Sequence, residues 1–138
     1  MNLYTIGYSN FESPAELAQV CDHLRAKLVD IRFRAWSRKL EFCGNRLQSA
    51  LGSRYIQVPE MGNANYKDPS LKFRIADYFG GQDKIANIGQ DVILMCTCKE
   101  ILKCHRLLVA GRLSSLPQFS AGHTEIRNMQ QILQPTLF

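Results

Sequence analysis

Apolar residues fall along the chain in two alternating patterns. Short runs of strand length, Leu3–Ile6, Leu28–Arg32, Arg54–Val58 and Val92–Cys96, are separated by longer stretches with apolar positions at helical spacing. Ser13, Pro14 and Glu16 predict a helix start: Ser13 caps the free amides, Pro14 sits in the first turn, and Glu16 completes a capping box. Leu17, Val20, Cys21, Leu24 and Leu28 give that helix one buried face. A second helix is expected from about Phe42 to Leu51, closed by Gly52. Asp68-Pro69 predicts the start of a third, with an apolar face of Leu71, Ile75, Tyr78 and Phe79, broken at Gly80-Gly81. Ile85 and Ile88 allow a further helical piece before Gly89. A last helix is expected from Cys104 to Leu113, stopped by Ser114, Ser115 and Pro117. Beyond it, His123–Met129 reads as a final strand, and Gln130–Gln134 as a short helix or a loose tail running to residue 138.

Strand and helix patterns in alternation predict a single α/β domain over residues 1–138, three-layered, with a mostly parallel sheet and right-handed helical crossovers. In such a sheet the ends of the strands share one rim, where ligands bind. Tyr8, Arg32, Glu60 and Cys96 are then expected to approach one another. No repeat, linker, heptad series or low-complexity segment interrupts the pattern.

Composition narrows the picture. At 46% hydrophobic and 21% charged, 138 residues suit a folded domain with a sizeable core. The longest apolar runs are too short to span a bilayer, so no membrane partner is expected. The first strand starts almost at Met1, with no basic region leading into an apolar stretch, and no secretory leader is expected either. Five cysteines, an odd number at low density, suit free thiols in a reducing cytoplasm. Cys21 lies on the apolar helix face and reads as inert core.

The formal charge of +5 permits a phosphate-bearing partner without requiring one. Two basic groups stand out: Arg32, Arg34, Arg38, Lys39, Arg46 and Arg54, then Lys99, Lys103, His105, Arg106 and Arg112. Taken singly, each is most simply solvated surface. At the end of the second strand, alternation turns Asp30 and Arg32 the same way, so that Asp30 can fix the guanidinium for an anion. Ser37, Arg38 and Lys39 follow in the loop, with Arg34 and Trp36 beside them. Trp36, Tyr8 and Tyr66 are candidates to stack an unpaired base, although core packing is the ordinary role of an aromatic ring. Glu60 is a candidate general base or arginine partner, with loop solvation an equal account.

The segment Val92–Arg106, VILMCTCKEILKCHR, concentrates the chemistry where a strand ends and a helix begins. Four readings compete. Structural zinc is disfavoured because Cys96-Thr97-Cys98 lacks the two-residue spacing of a zinc knuckle. A reactive thiolate, Cys104 or Cys96, with His105 moving protons, suits the helix start. Adjacent residues in a helix diverge, however, and a cysteine–five residues–arginine phosphatase loop is absent, since Leu102 and Lys103 occupy the fifth places after Cys96 and Cys98. Anion recognition by free helix amides, His105 and Arg106, reinforced by Arg32 and Arg38, is the third reading, with DNA or RNA as the partner. The fourth is a buried thiol cluster with no chemistry. No GxxxxGKS/T loop, HExxH or dinucleotide fingerprint occurs, and no cofactor or metal is assigned.

Together, GYSN at Gly7–Asn10, DIR with SR at Asp30–Arg32 and Ser37–Arg38, VPEMG at Val58–Gly62 and the C…CHR ending at Cys96 and Cys104–Arg106 resemble domain-of-unknown-function family 488, in order, over roughly Leu3 to Leu113. The resemblance implies a compact α/β domain with polar residues around one cleft: Gly7, Tyr8, Asp30, Arg32, Ser37, Arg38, Glu60, Gly62, Cys96, Cys104, His105 and Arg106. The chain departs from the family's commonest pattern at Phe33-Arg34-Ala35-Trp36, where that pattern carries a proline, and Cys98 is not carried over. The functional expectation is a small enzyme acting on a nucleic acid or nucleotide through an anion-binding cleft. A non-catalytic nucleic-acid-binding module and a structural protein with a buried thiol cluster stand as alternatives.

Overall fold

The computed structural model describes residues 1–120 and 122–133. Its centre is a sheet of five parallel strands: β1 (Leu3–Gly7), β2 (Lys27–Asp30), β3 (Tyr55–Gln57), β4 (Val92–Cys96) and β5 (Thr124–Ile126), in the spatial order β3-β2-β4-β1-β5. Between them run α1 (Pro14–Leu24), α2 (Gly44–Leu51), α3 (Tyr78–Ala86) and α4 (His105–Leu113), with a short α5 (Gln130–Leu133) at the end. The α/β reading holds.

Alternation along β4 explains the layers. Ile93 and Met95 face one core with Leu17, Val20, Leu47 and Leu51 of α1 and α2. Val92, Leu94 and Cys96 face the other, with Tyr78 and Ile85 of α3 and Val109 and Leu113 of α4. All five β4 residues are buried, which is why this strand reads as an unbroken apolar run. The chain moves outward from β1 through β2 to β3 with helices on one face. It then turns back to β4 and β5 with helices on the other, as right-handed crossovers require. β4 therefore lies between two strands whose crossovers leave to the opposite face. Crevices at such reversals, beyond the carboxyl ends of the strands, are where open α/β sheets hold ligands.

Two local expectations are corrected. Ser13 does not cap α1 through its side chain; its carbonyl accepts from the Glu16 amide, and Glu16 Oε1 reaches instead to the Glu12 amide at 2.7 Å. The helix expected from Asp68 to Phe79 is not there. Residues 63–76 form a loop closed by an antiparallel bridge between Asn63 and Ile75, and the helix runs through Gly80-Gly81, where a break was expected. Side-chain capture of backbone amides is the cause. Asn63 Oδ1 accepts from the amides of Asn65 and Arg74, Asp68 Oδ1 from the Ser70 amide, and Asp77 caps α3 by accepting from the Gly80 amide at 3.1 Å. Gly81 suits the helix interior because a side chain there would run into Met61. The final strand is shorter than expected, and the Gln-rich end begins as α5; the rest of that tail lies outside the described residues.

Candidate functional site

Beyond the carboxyl ends of β1, β2 and β4 lies a cavity of about 700 Å³. Its floor is made by Cys96 at the end of β4 and by Cys104 and His105 at the start of α4. One wall comes from the loop after β2, with Arg32, Phe33, Arg34, Trp36, Ser37, Arg38 and Lys39. The opposite wall comes from the 63–76 loop, through Asn63, Asn65, Tyr66, Leu71 and Phe73. Tyr8, Ser9, Thr97, Cys98 and Lys103 close the remaining sides.

The floor is built by two strand ends and one helix start. Cys104 is the extended residue before α4, with φ −126° and ψ 143°, and His105 is the first helical residue. The bend between them lets both side chains point to the same place, although neighbours within a helix would diverge. His105 Nε2 lies 2.8 Å from the carbonyl oxygen of Ile31, just past β2. That oxygen can only accept, so Nε2 carries a proton, and Nδ1 is the ring nitrogen turned toward the sulfurs. Nδ1 is 3.5 Å from Cys96 Sγ and 3.9 Å from Cys104 Sγ. Hydrogen bonds from the thiols of Cys96 and Cys98 hold the Cys104 thiol well below its ordinary pKa, with His105 and the Arg106 amide adding to the effect. The donors are held up in turn: Cys96 rises to about 12 through its bond to Cys104 and its burial, and Cys98 rises for the same reasons.

On the other face of β2 a polar layer supports the wall. Asp30 Oδ1 accepts from Arg32 Nε at 2.9 Å, and Asp30 Oδ2 accepts from Arg32 Nη2 at 2.6 Å and from the Tyr55 hydroxyl at 2.5 Å. Arg32 also donates to the carbonyls of Phe42 and Trp36 and lies 5.2 Å over the Tyr8 ring. Burial by itself would lower the Arg32 pKa, but the hydrogen bonds and charge of Asp30 outweigh it and raise it above the ordinary value. The Tyr8 hydroxyl donates to Ser37 Oγ at 2.6 Å, and the Lys39 amide donates to the same oxygen. Most of what Arg32 can donate is thus directed at the protein itself, and the same holds for Arg106. Fully buried, Arg106 pairs with Glu125 of β5 at 3.1 Å and donates to the carbonyls of Cys98 at 2.7 Å and Lys99 at 3.2 Å. Gly7 admits this turn, because a Cβ there would overlap the Cys98 carbonyl; Gly62 likewise admits the Phe33 backbone.

The expected site residues therefore separate into groups. Cys96, Cys104, His105, Tyr8, Arg32, Ser37, Arg34, Trp36, Arg38, Lys39 and Tyr66 meet around the cavity. Asp30 stands behind Arg32. Arg106 stands behind the Cys98–Lys99 turn. Glu60 is not on the cavity wall and pairs with Lys84 of α3, which holds its carboxyl below the usual range. Sequence reasoning missed Leu71 and Phe73, hidden inside a segment read as helix, and the partners Tyr55 and Glu125, for which no spacing gave a signal. Phe73 presents its edge to the His105 ring at 6.3 Å between centroids. Among the described residues, Arg34, Arg38 and Lys39 have no acidic partner, whereas Lys103 pairs with exposed Glu100. No helix is long and apolar enough to cross a membrane among the described residues. No family model, curated protein or solved structure matches the chain.

Proposed function

We propose that the cavity binds a nucleotide or a segment of single-stranded nucleic acid, and that the protein is a small enzyme acting on it in a reducing cytoplasm. The observation that carries this reading is the wall after β2. There, three cations without acidic partners, Arg34, Arg38 and Lys39, alternate with Phe33 and Trp36, exposed aromatic rings on the same cavity. Unpaired cations favour phosphate oxygens, and exposed rings offer stacking surfaces to any base. Phe33 and Tyr66, 5.7 Å apart, extend the aromatic surface across the cavity mouth. The two thiols and the oriented imidazole below supply reactive groups at ligand depth, which favours an enzyme over a passive binding module.

Trp36, the chain's single tryptophan, is 63% exposed on the cavity wall, so its emission reports occupancy directly. A short unpaired oligonucleotide is expected to quench it, with affinity falling as salt rises by a slope of about −0.7 per phosphate neutralised. Replacing Arg34, Arg38 and Lys39 together by alanine should flatten that slope and leave the fold intact. Unquenched emission, or a slope that the triple variant leaves unchanged, would sink the reading. Conversion of the oligonucleotide, followed by mass spectrometry, separates the enzyme from the passive module.

A further inference from the structure

At the cavity floor three soft donor atoms point at one spot, which neither phosphate binding nor core packing requires. We propose that Cys96, Cys104 and His105 form a zinc site whose fourth coordination position opens into the cavity.

Three observations lead there. The first is distance. Both sulfurs and a His105 ring nitrogen lie within 4.8 Å of one another. With Zn–S of about 2.3 Å and Zn–N of about 2.0–2.1 Å, a tetrahedral ion needs S···N edges of about 3.6 Å and an S···S edge of about 3.8 Å. The edges from Nδ1 are 3.5 and 3.9 Å, so small rotations of the two thiols suffice to seat the ion.

The second is the tautomer. The Ile31 carbonyl ties down the Nε2 proton, so Nδ1 is the ring nitrogen left facing the sulfurs and available to a metal. Metal-bound histidines almost always donate their other ring proton to a carbonyl or carboxylate in this way. Core packing would need no such orientation.

The third is the donor set. Two thiolates and an imidazole select zinc over hard cations, and the thiolate charges neutralise a divalent ion in a buried place. On binding, any proton still held by either sulfur passes to solvent, each sulfur donates a lone pair, and no electron is transferred. Cysteine spacing argues against zinc only if Cys96 and Cys98 are taken as the pair. The bend at Cys104 makes Cys104 and His105 adjacent ligands and Cys96 the third. The Cys98 sulfur lies 3.8 Å from the Lys103 carbonyl and outside the cluster of three donors, and all three of those residues line the cavity into which a fourth position can open. Three protein ligands with an open place are the arrangement of catalytic rather than structural zinc. The inference holds whichever ligand fills the cavity above.

The test uses the full chain, reduced and freed of metal, titrated with cobalt(II) alone and then zinc(II) alone. Expected are one cobalt per chain, a thiolate-to-cobalt charge-transfer band, intense visible bands of a tetrahedral ion, and displacement by zinc. Cys104→Ser and His105→Ala should each weaken zinc binding by more than about 100-fold, beyond what losing an outer partner costs. Cys21→Ser should leave it unchanged, and Cys98→Ser should weaken it by less than either ligand variant. Because Cys104→Ser can disturb folding, zinc protection of the wild-type thiols against iodoacetamide provides an independent reading, with Cys96 and Cys104 shielded and Cys43 reacting as before. A cobalt spectrum without the charge-transfer band, equal affinity in Cys104→Ser, or loss of binding in Cys98→Ser would overturn the site as drawn.

Discussion

Asp30 is fully buried and accepts four hydrogen bonds, from the Arg32 amide, Arg32 Nε and Nη2, and the Tyr55 hydroxyl. Removing one member of a buried ion pair leaves the other charged in a place of low dielectric, at a cost of about 3–5 kcal/mol. Asp30→Asn is therefore expected to lower the stability from urea unfolding by about that amount, with an unchanged slope; a loss below about 1 kcal/mol would mean that solvent reaches Arg32. Sequence alternation was enough to pair Asp30 with Arg32. It could not reveal that Arg32 and Arg106 direct their donors mainly inward, since Tyr55 and Glu125 lie on other strands and an exposed arginine leaves the same trace in a sequence. The loop cations Arg34, Arg38 and Lys39, which singly read as solvated surface, have no acidic partner among the described residues.

At the scale of elements, strands and most helices were legible because their apolar spacing is local. The exception is residues 63–77, where helical spacing of Leu71, Ile75 and Tyr78 was overridden by asparagine and aspartate side chains competing for backbone amides. Asp77→Ala removes the cap of α3 and should destabilise the protein by about 1 kcal/mol, measured by thermal unfolding. α3 is also tied to the Pro59–Met61 turn through Lys84 and Glu60. The hydrogen bond to Lys84 lowers the Glu60 pKa from 4.5. Its stabilisation is therefore complete above the unfolded-state value and fades as pH falls through the lower folded-state value. Lys84→Met should be less stable than wild type by up to about 1 kcal/mol at neutral pH, converging with it in acid. A gap that persists in acid once Glu60 is protonated in the folded state too would assign the loss to packing instead.

For the whole molecule, one parallel sheet with helices on both faces was readable from the alternation of patterns, whereas the strand order was not. Nothing local says that β4 enters between β2 and β1, yet that insertion sets Cys96 beside Gly7, lets His105 reach the Ile31 carbonyl, and makes a cavity out of residues distant in sequence. It also dictates when the protein can exist. A chain emerging from the ribosome carries β1, β2 and β3 long before β4, but β1 and β2 share no ladder and meet only through the strand still to come. Until Val92–Cys96 is free to enter, β1 has no partner, the face of α1 has half a sheet to cover, and strand edges stand open to other chains. β4 is thus the keystone of the sheet, and neither the cavity nor the two-sided core can close until it has been made.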